Sequence, residues 1–227
     1  MKRSEINAIL SRSKVFLERM QFRLPVWAAW SPEDWRAHRR ECGEVLESRL
    51  GWDITDFGGG DFVRRGLVLF TLRNGRPGRD KKPYAEKVMI VGEAQETPMH
   101  CHRSKMEDII NRGGGELVME LLASTPDGGA ACKPIEVRID GCRRNVGPGE
   151  RVTLGPGESI CLCQGLYHRF YAQPDLGPVL AGEVSSVNDD INDNCFLEPI
   201  GRFPAIEEDE PPLHFLVSDY EKLWRPA

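Results

Sequence analysis

The spacing of apolar residues along this chain changes once, near residue 50. Upstream of that point Ile6, Ile9, Leu10 and Phe16 recur at helical intervals, which predicts a helix from about Ser4 to Met20. The stretch "SPEDWRAHRRECGEVL" predicts a second helix. There Ser31 is a side-chain N-cap, Pro32 suits the first helical position, and Glu33 and Asp34 place negative charge in the first turn. Beyond "TDFGGGDF" the pattern shortens to "VRRGLVLFTLRNGR", "YAEKVMIVG", "GELVMELLAS", "IEVRIDG", "RVTLGPGESICLCQG", "YHRFYA" and "VLAGEVSSV". Gly, Pro, Asp and Asn divide these runs, and the first reads as a strand closing at an Asn-Gly turn. No long amphipathic helices separate them, as a βαβ fold would require, so an all-β sandwich or small barrel is expected. The tail "PAIEEDEPPLHFLVSDYEKLW" is acidic and broken by prolines. The expected organisation is one structural domain, with residues 1–50 a helical extension packed on a barrel formed by 51–227.

Composition narrows the classes of function. A chain of 227 residues has room for one well-buried core and little for two full domains. Its apolar runs fall far short of the roughly 20 residues of a membrane helix. The start "MKRSEINAIL" lacks the apolar core of a secretory signal. The expectation is a soluble cytoplasmic protein with no membrane partner. A net charge of −5 argues against nucleic acid, which wants clustered Lys and Arg. Seven cysteines follow neither a disulfide framework nor a zinc ribbon, so buried reduced thiols are expected.

Candidate chemistry gathers in "PMHCHRSKMEDII". His100 and His102 are two apart, so on a strand both imidazoles project from one face while Cys101 takes the other. Glu107 lies an odd number of steps from His102, so it reaches that face only if a turn or bulge at "RSK" intervenes, which also brings Lys105 inward. His168, after the Gly-containing turn of "CQGLYHRFY", is the fourth candidate. A His-x-His pair alone also fits a polar loop. Three imidazoles and a carboxylate together form a mixed N/O set suited to Mn²⁺, Fe²⁺, Co²⁺, Ni²⁺ or Zn²⁺ with positions left for substrate. Lacking thiolates, the set does not read as structural zinc. His38 and His214 read as structural or surface residues.

These strings carry a resemblance. "HCHRSKMEDIINRGG" resembles the first cupin motif and "GESICLCQGLYHRF" the second, with Gly114, Gly157 and Gly165 in step. Cys163 stands where the pattern usually has proline, no asparagine follows His168 at the usual place, and Gly92 lies further from His100 than expected. The resemblance implies a cupin double-sheet β-barrel (jelly roll). Over the whole chain, "MEDIINRGGGELVMEL", "DGCRR", "PGESICLCQGLYHRF", "GEVSSVNDDINDN" and "FLEPIGRFPAIEEDEPP" resemble the bacterial D-lyxose isomerases. That resemblance implies a manganese-dependent conversion of D-lyxose to D-xylulose, and of D-mannose to D-fructose, through a metal-stabilised cis-enediol. Analogy with other cupins implies a homodimer.

The residues supply groups for such chemistry. Moving a proton between C1 and C2 needs a Lewis acid on adjacent sugar oxygens and a base within hydrogen-bond reach. Lys105, between His102 and Glu107, is placed to donate to O1 or O2. Glu198 in "FLEPIGRF", held extended by the following proline, is the first choice of base, and Glu183 in "VLAGEVSSV" the second. Lys87, Asp190 and Arg202 are candidate sugar contacts. A 1,2-hydride shift would need no carbon base. Two rival enzymes share the scaffold. A phosphosugar isomerase would need gathered cations, and Lys133, Arg143 and Arg144 offer no evident pocket. An Fe(II) dioxygenase would leave Lys105 and the inward carboxylates without a role.

Overall fold

The computed structural model describes residues 1–76, 78–189 and 192–224. Helix α1 (Arg3–Arg19) is followed by a 3₁₀ turn (Val26–Ala29), α2 (Pro32–His38) and α3 (Gly43–Glu47). The strands follow: β1 (Gly51–Thr55), β2 (Leu67–Arg73), β3 (Tyr84–Val91), β4 (His100–His102), β5 (Glu107–Gly114), β6 (Leu117–Ser124) and β7 (Ala130–Ala131). Then come β8 (Ile135–Ile139), β9 (Cys142–Val146), β10 (Arg151–Leu154), β11 (Ser159–Leu162), β12 (Tyr167–Ala172), β13 (Val179–Ser186) and β14 (Asn194–Phe196). A 3₁₀ segment (Val217–Trp224) closes the described chain.

Two antiparallel sheets face each other, as a cupin barrel requires. The larger orders its strands β1-β2-β3-β13-β5-β11-β8-β9, the smaller β10-β6-β12-β4-β14, with β7 paired to β6. Leu69, Met89, Ile109 and Ile160 of the larger sheet meet Met119, Leu121, Val152 and Phe170 of the smaller to form the core. Alternation decides which residues enter it. On β5, Glu107, Ile109 and Asn111 are buried while Asp108 and Arg112 face outward. On β2 both faces are covered: Leu67 and Leu69 look inward, and Val68 and Phe70 meet Ile6, Leu10, Phe16 and Leu17 among the residues of α1. That double cover explains why "LVLF" reads as a continuous apolar run.

Ser31 caps α2 as expected. Its hydroxyl accepts from the Asp34 N–H at 3.2 Å, and the Asp34 carboxylate accepts from the Ser31 N–H at 2.9 Å. The helix then stops at His38 instead of running on through Leu46. The break lets Trp35 and Leu46 both pack on Phe215, Tyr220 and Leu223 of the C-terminal segment. Asn74 forms no hairpin turn either. It is buried, and its amide bonds the Asn188 backbone at both N–H and C=O, each at 3.0 Å. The seven cysteines are all free, but Cys132, Cys142 and Cys163 are exposed, because they sit in loops or on the outer strand β9.

The C-terminal segment is fastened to α1 by an ionic cluster. The Arg3 guanidinium, fully buried, donates to Glu208 at 2.7 Å and to both oxygens of Asp219 at 3.0 and 2.9 Å. Lys222 pairs with Asp219 at 2.8 Å and also contacts Glu208.

Candidate metal and substrate site

Strand pairing across the smaller sheet gathers the histidines. His168 on β12 stands opposite His100 on β4, and β14 flanks β4 with Phe196 opposite His100. Gly165 makes the turn before β12, with φ at 74°, and its N–H donates to the His102 carbonyl at 2.7 Å. The ligating atoms of His100, His102 and His168 lie within 4.8 Å of one another. Glu107 completes the set from the facing sheet, its Oε1 at 3.0 Å from His168 Nε2 and 3.4 Å from His102 Nε2. The link "RSKM" between β4 and β5 is what makes this possible. It carries the chain from one sheet to the other in four residues, turning Glu107 back toward the histidines.

The donor set fits a divalent cation. His100 Nδ1 contacts the Pro98 carbonyl at 2.8 Å and His168 Nδ1 the Leu166 carbonyl at 3.0 Å, so each ring donates there and turns its Nε2 lone pair inward. His168 Nε2 and the Glu107 carboxylate face each other at 3.0 Å, an arrangement that a cation between them would satisfy on both sides. Burial, reinforced by the neighbouring imidazoles, lowers His100 well below the ordinary histidine range; burial also lowers His102. Both are thereby held neutral, the form that ligates metal. His100, His102, His168 and Glu107 are the residues that would hold the ion.

A second layer lies beside it on the larger sheet. Glu183 on β13 pairs in register with Lys87 on β3 and with Ile109 on β5, so Lys87, Glu183 and Glu107 share one inner face. Lys105 Nζ bridges the two carboxylates, 2.7 Å from Glu107 and 2.8 Å from Glu183. Lys87 Nζ lies 3.4 Å from Glu183 and donates to Asn188 Oδ1 at 2.6 Å. Burial alone would lower Lys105, but Glu107 and Glu183 outweigh it and keep the ammonium protonated. Burial would likewise raise both carboxyls, yet Lys105, joined at Glu183 by Lys87, holds them below the usual range and ionised. Phe57, Leu67, Leu69, Met89, Ile109, Phe170 and Phe196 supply the apolar walls. The chamber's volume is about 50 Å³. A larger cavity of about 290 Å³ shares Leu69 with it and is bordered by Asp53, Thr71, Asn74, Asn188 and Phe203.

The structure thus brings together His100, His102, Glu107, His168, Lys105, Glu183 and Lys87, with Arg202 also lining the chamber. The Arg202 guanidinium donates to Asp53 at 2.7 Å. Glu198 is not part of the chamber lining: its side chain is 59% exposed and pairs with Arg65 at 3.0 Å. Asp190 lies outside the described residues. His214 is a buried structural histidine between the Trp30 carbonyl and Lys14, and His38 stacks on Trp30. Sequence reasoning missed Asp53, Asn188 and Asp193. The last accepts from the Ser104 N–H and hydroxyl at 2.7 and 2.6 Å and from the Lys105 N–H at 3.1 Å. Asn188 and Asp193 sit among Asp and Asn residues whose composition signals only turns, and Asp53 lies within the buried strand β1.

Comparison with known proteins identifies the chain's relatives. The family model for D-lyxose isomerase matches residues 1–220. A D-lyxose/D-mannose isomerase of Serratia proteamaculans is 50% identical over 223 residues, covering 97% of this chain and 98% of the relative. Its counterpart from Escherichia coli O157:H7 is 48% identical over 225 residues, covering 98% and 99%. Among solved structures, an L-ribose isomerase of Acinetobacter sp. DL28 in complex with L-ribose superposes with a TM-score of 0.61 at 15% identity, over 91% of this chain and 98% of that one. An L-ribose isomerase of Cellulomonas parahominis with L-psicose gives 0.58 at 16% identity over the same shares. At that identity the structural likeness speaks for the fold.

Proposed function

This chain belongs to the D-lyxose isomerase family and is an aldose–ketose isomerase; we propose that it interconverts D-lyxose with D-xylulose and D-mannose with D-fructose, using a divalent metal, Mn²⁺ first, held by His100, His102, Glu107 and His168. The observation that carries the reading is the Glu107–Lys105–Glu183 couple beside the histidine cluster, with contacts of 2.7 and 2.8 Å. It sets an ionised base and a fixed acid within reach of one small substrate.

When bound, the metal would act as a Lewis acid on two adjacent sugar oxygens and acidify the C–H between them. Glu183 Oε1 takes the proton from C2 and returns it to C1, passing through a cis-enediol. Lys105, held protonated by its two carboxylates, gives a proton to O1 and takes one back from O2, so the hydroxyl proton is relayed alongside the carbon-bound one. Lys87 and Arg202 bind the remaining hydroxyls, and the apolar walls pack against the sugar carbons. Glu183 replaces Glu198 as the base in this scheme because only Glu183 lies within the chamber lining. The proposal includes a cytoplasmic homodimer, supported by the family resemblance and testable by light scattering of the purified protein.

The test uses chelator-stripped protein, assayed with and without added Mn²⁺ in anaerobic buffer on D-lyxose and D-mannose deuterated at C2. Ketose formation that returns only with metal, with deuterium lost to solvent, is the expected result. Deuterium wholly retained at C1 would replace the Glu183 step with a hydride shift. No ketose from either sugar would end the substrate assignment.

A further inference from the structure

The three histidines of the cluster differ in what their second ring nitrogen faces. For His100 and His168 it is a backbone carbonyl two residues upstream. For His102 it is a carboxylate: Nδ1 lies 3.7 Å from Asp193 Oδ2. This Nδ1 is buried and, among the described residues, has no hydrogen-bond partner. A buried polar atom without a partner is costly, and a ring shift of about 0.7 Å would bring the pair within normal hydrogen-bond range. Asp193 itself is 6% exposed and held from several sides. Oδ1 accepts from the Ser104 N–H and hydroxyl, Oδ2 from the Lys105 N–H, and its own carbonyl accepts from the Arg103 N–H at 3.1 Å. The carboxylate therefore arrives prepositioned against one imidazole edge, on the segment that carries both His102 and Lys105.

We infer that Asp193 is a positioning residue for the metal centre: it accepts the Nδ1 proton of His102 and fixes that ring with Nε2 toward the ion. A carboxylate behind a ligating histidine sets its tautomer and strengthens its donation to metal, and losing such a partner costs roughly 10–100-fold in metal affinity. The inference rests on the proposed metal site. It adds a role for a residue in the loop "NDDINDN" that the isomerisation scheme does not use.

Two variants separate this role from simple loop support. Asp193→Asn keeps the side chain's size and removes the charge facing His102. Ser104→Ala removes one loop contact to Asp193 and leaves the carboxylate beside the ring. Calorimetric titration of chelator-stripped protein with Mn²⁺ should show Asp193→Asn binding about 10–100-fold more weakly, with Ser104→Ala within about threefold of the parent. Equal losses in both variants, or an Asp193→Asn affinity within about twofold of the parent, would overturn the inference. A parent that binds no Mn²⁺ overturns the metal reading itself, which is a separate result. A measurement on the unmutated protein covers the case in which Asp193→Asn does not fold. With Zn²⁺ bound, the His102 Nδ1 proton should give a downfield resonance in slow exchange with water. Rapid exchange at that position alone would show that no carboxylate holds it, and would sink the inference equally.

Discussion

Among the described residues, two ionic clusters with buried members are built to opposite ends. Around Arg3 the pairing is complete: a planar guanidinium meets the carboxylates of Glu208 and Asp219, and Lys222 supplies a second cation from the C-terminal segment. Nε and both terminal nitrogens of Arg3 donate to carboxylates, and the cluster serves to hold α1 against the chain's end. In the barrel, Lys105, Lys87, Glu107 and Glu183 also offset one another's burial. There the third partner is a group of imidazole nitrogens with lone pairs aimed at a common centre. Saturation makes a fastener, and directed incompleteness makes a site. Charge count alone does not distinguish the two, since each sets two cations against two carboxylates.

The sharpest break between the clusters should come from Glu183→Gln. Losing the proton carrier should lower kcat on D-lyxose by about 10²–10⁴-fold while the protein stays folded at the assay temperature. Steady-state kinetics and a melting curve on one preparation check both halves. Arg3→Met should do the reverse. Removing one member of a buried ion cluster costs about 3–5 kcal/mol, read by urea denaturation, while kcat at low temperature stays at the parent's level.

A smaller effect follows from pH. Hydrogen bonds from Arg3 above all, then from Lys222, push Glu208 down to about 2 against an ordinary value near 4.5. A carboxyl depressed in the folded state stabilises above its unfolded pKa and loses that contribution as pH falls through the folded one. The stability difference between the parent and Glu208→Gln should therefore be full at pH 6 and fade from about pH 5 toward pH 2. Glu208 is half-exposed, so solvent screening keeps the whole difference to about 1 kcal/mol. Smallest of all is Glu198→Gln. An exposed pair with Arg65 is worth about 0–1 kcal/mol, and kcat should change less than about twofold. A large loss of kcat there would return Glu198 to the reaction and break the assignment of Glu183.

How far the sequence announces each cluster follows from geometry. His100, His102 and Glu107 fall on short segments whose facing is fixed by alternation, and His168 follows a glycine turn, so their meeting can be argued from spacing. Lys87 and Glu183 each interrupt an apolar strand, which marks them as inward or odd. For Glu198 the following proline restrains the backbone without saying which way the extended chain leaves the sheet, so its position off the chamber lining could not be read. Asp193, Asn188 and Asp53 gave no sign, since their roles depend on a loop meeting strands far away in sequence. The same holds for the Arg3 fastener, whose partners lie about 200 residues downstream. Double cover of a strand is legible as an apolar run, but its covering helix is not, and neither is the break between α2 and α3 that serves Trp35 and Leu46.

The four-residue crossing between β4 and β5 has a thermodynamic corollary. It places three of the four proposed ligands within the eight-residue stretch 100–107, so even an unfolded chain presents His100, His102 and Glu107 as a local chelate. Stabilisation by a bound ion depends on its preference for the folded state, and affinity for the unfolded chain subtracts from it. The melting temperature should climb with added Mn²⁺ while only the folded barrel is loaded, then level off once the denatured ensemble is loaded too. A site whose ligands were scattered evenly along the chain would reach that plateau only at much higher metal.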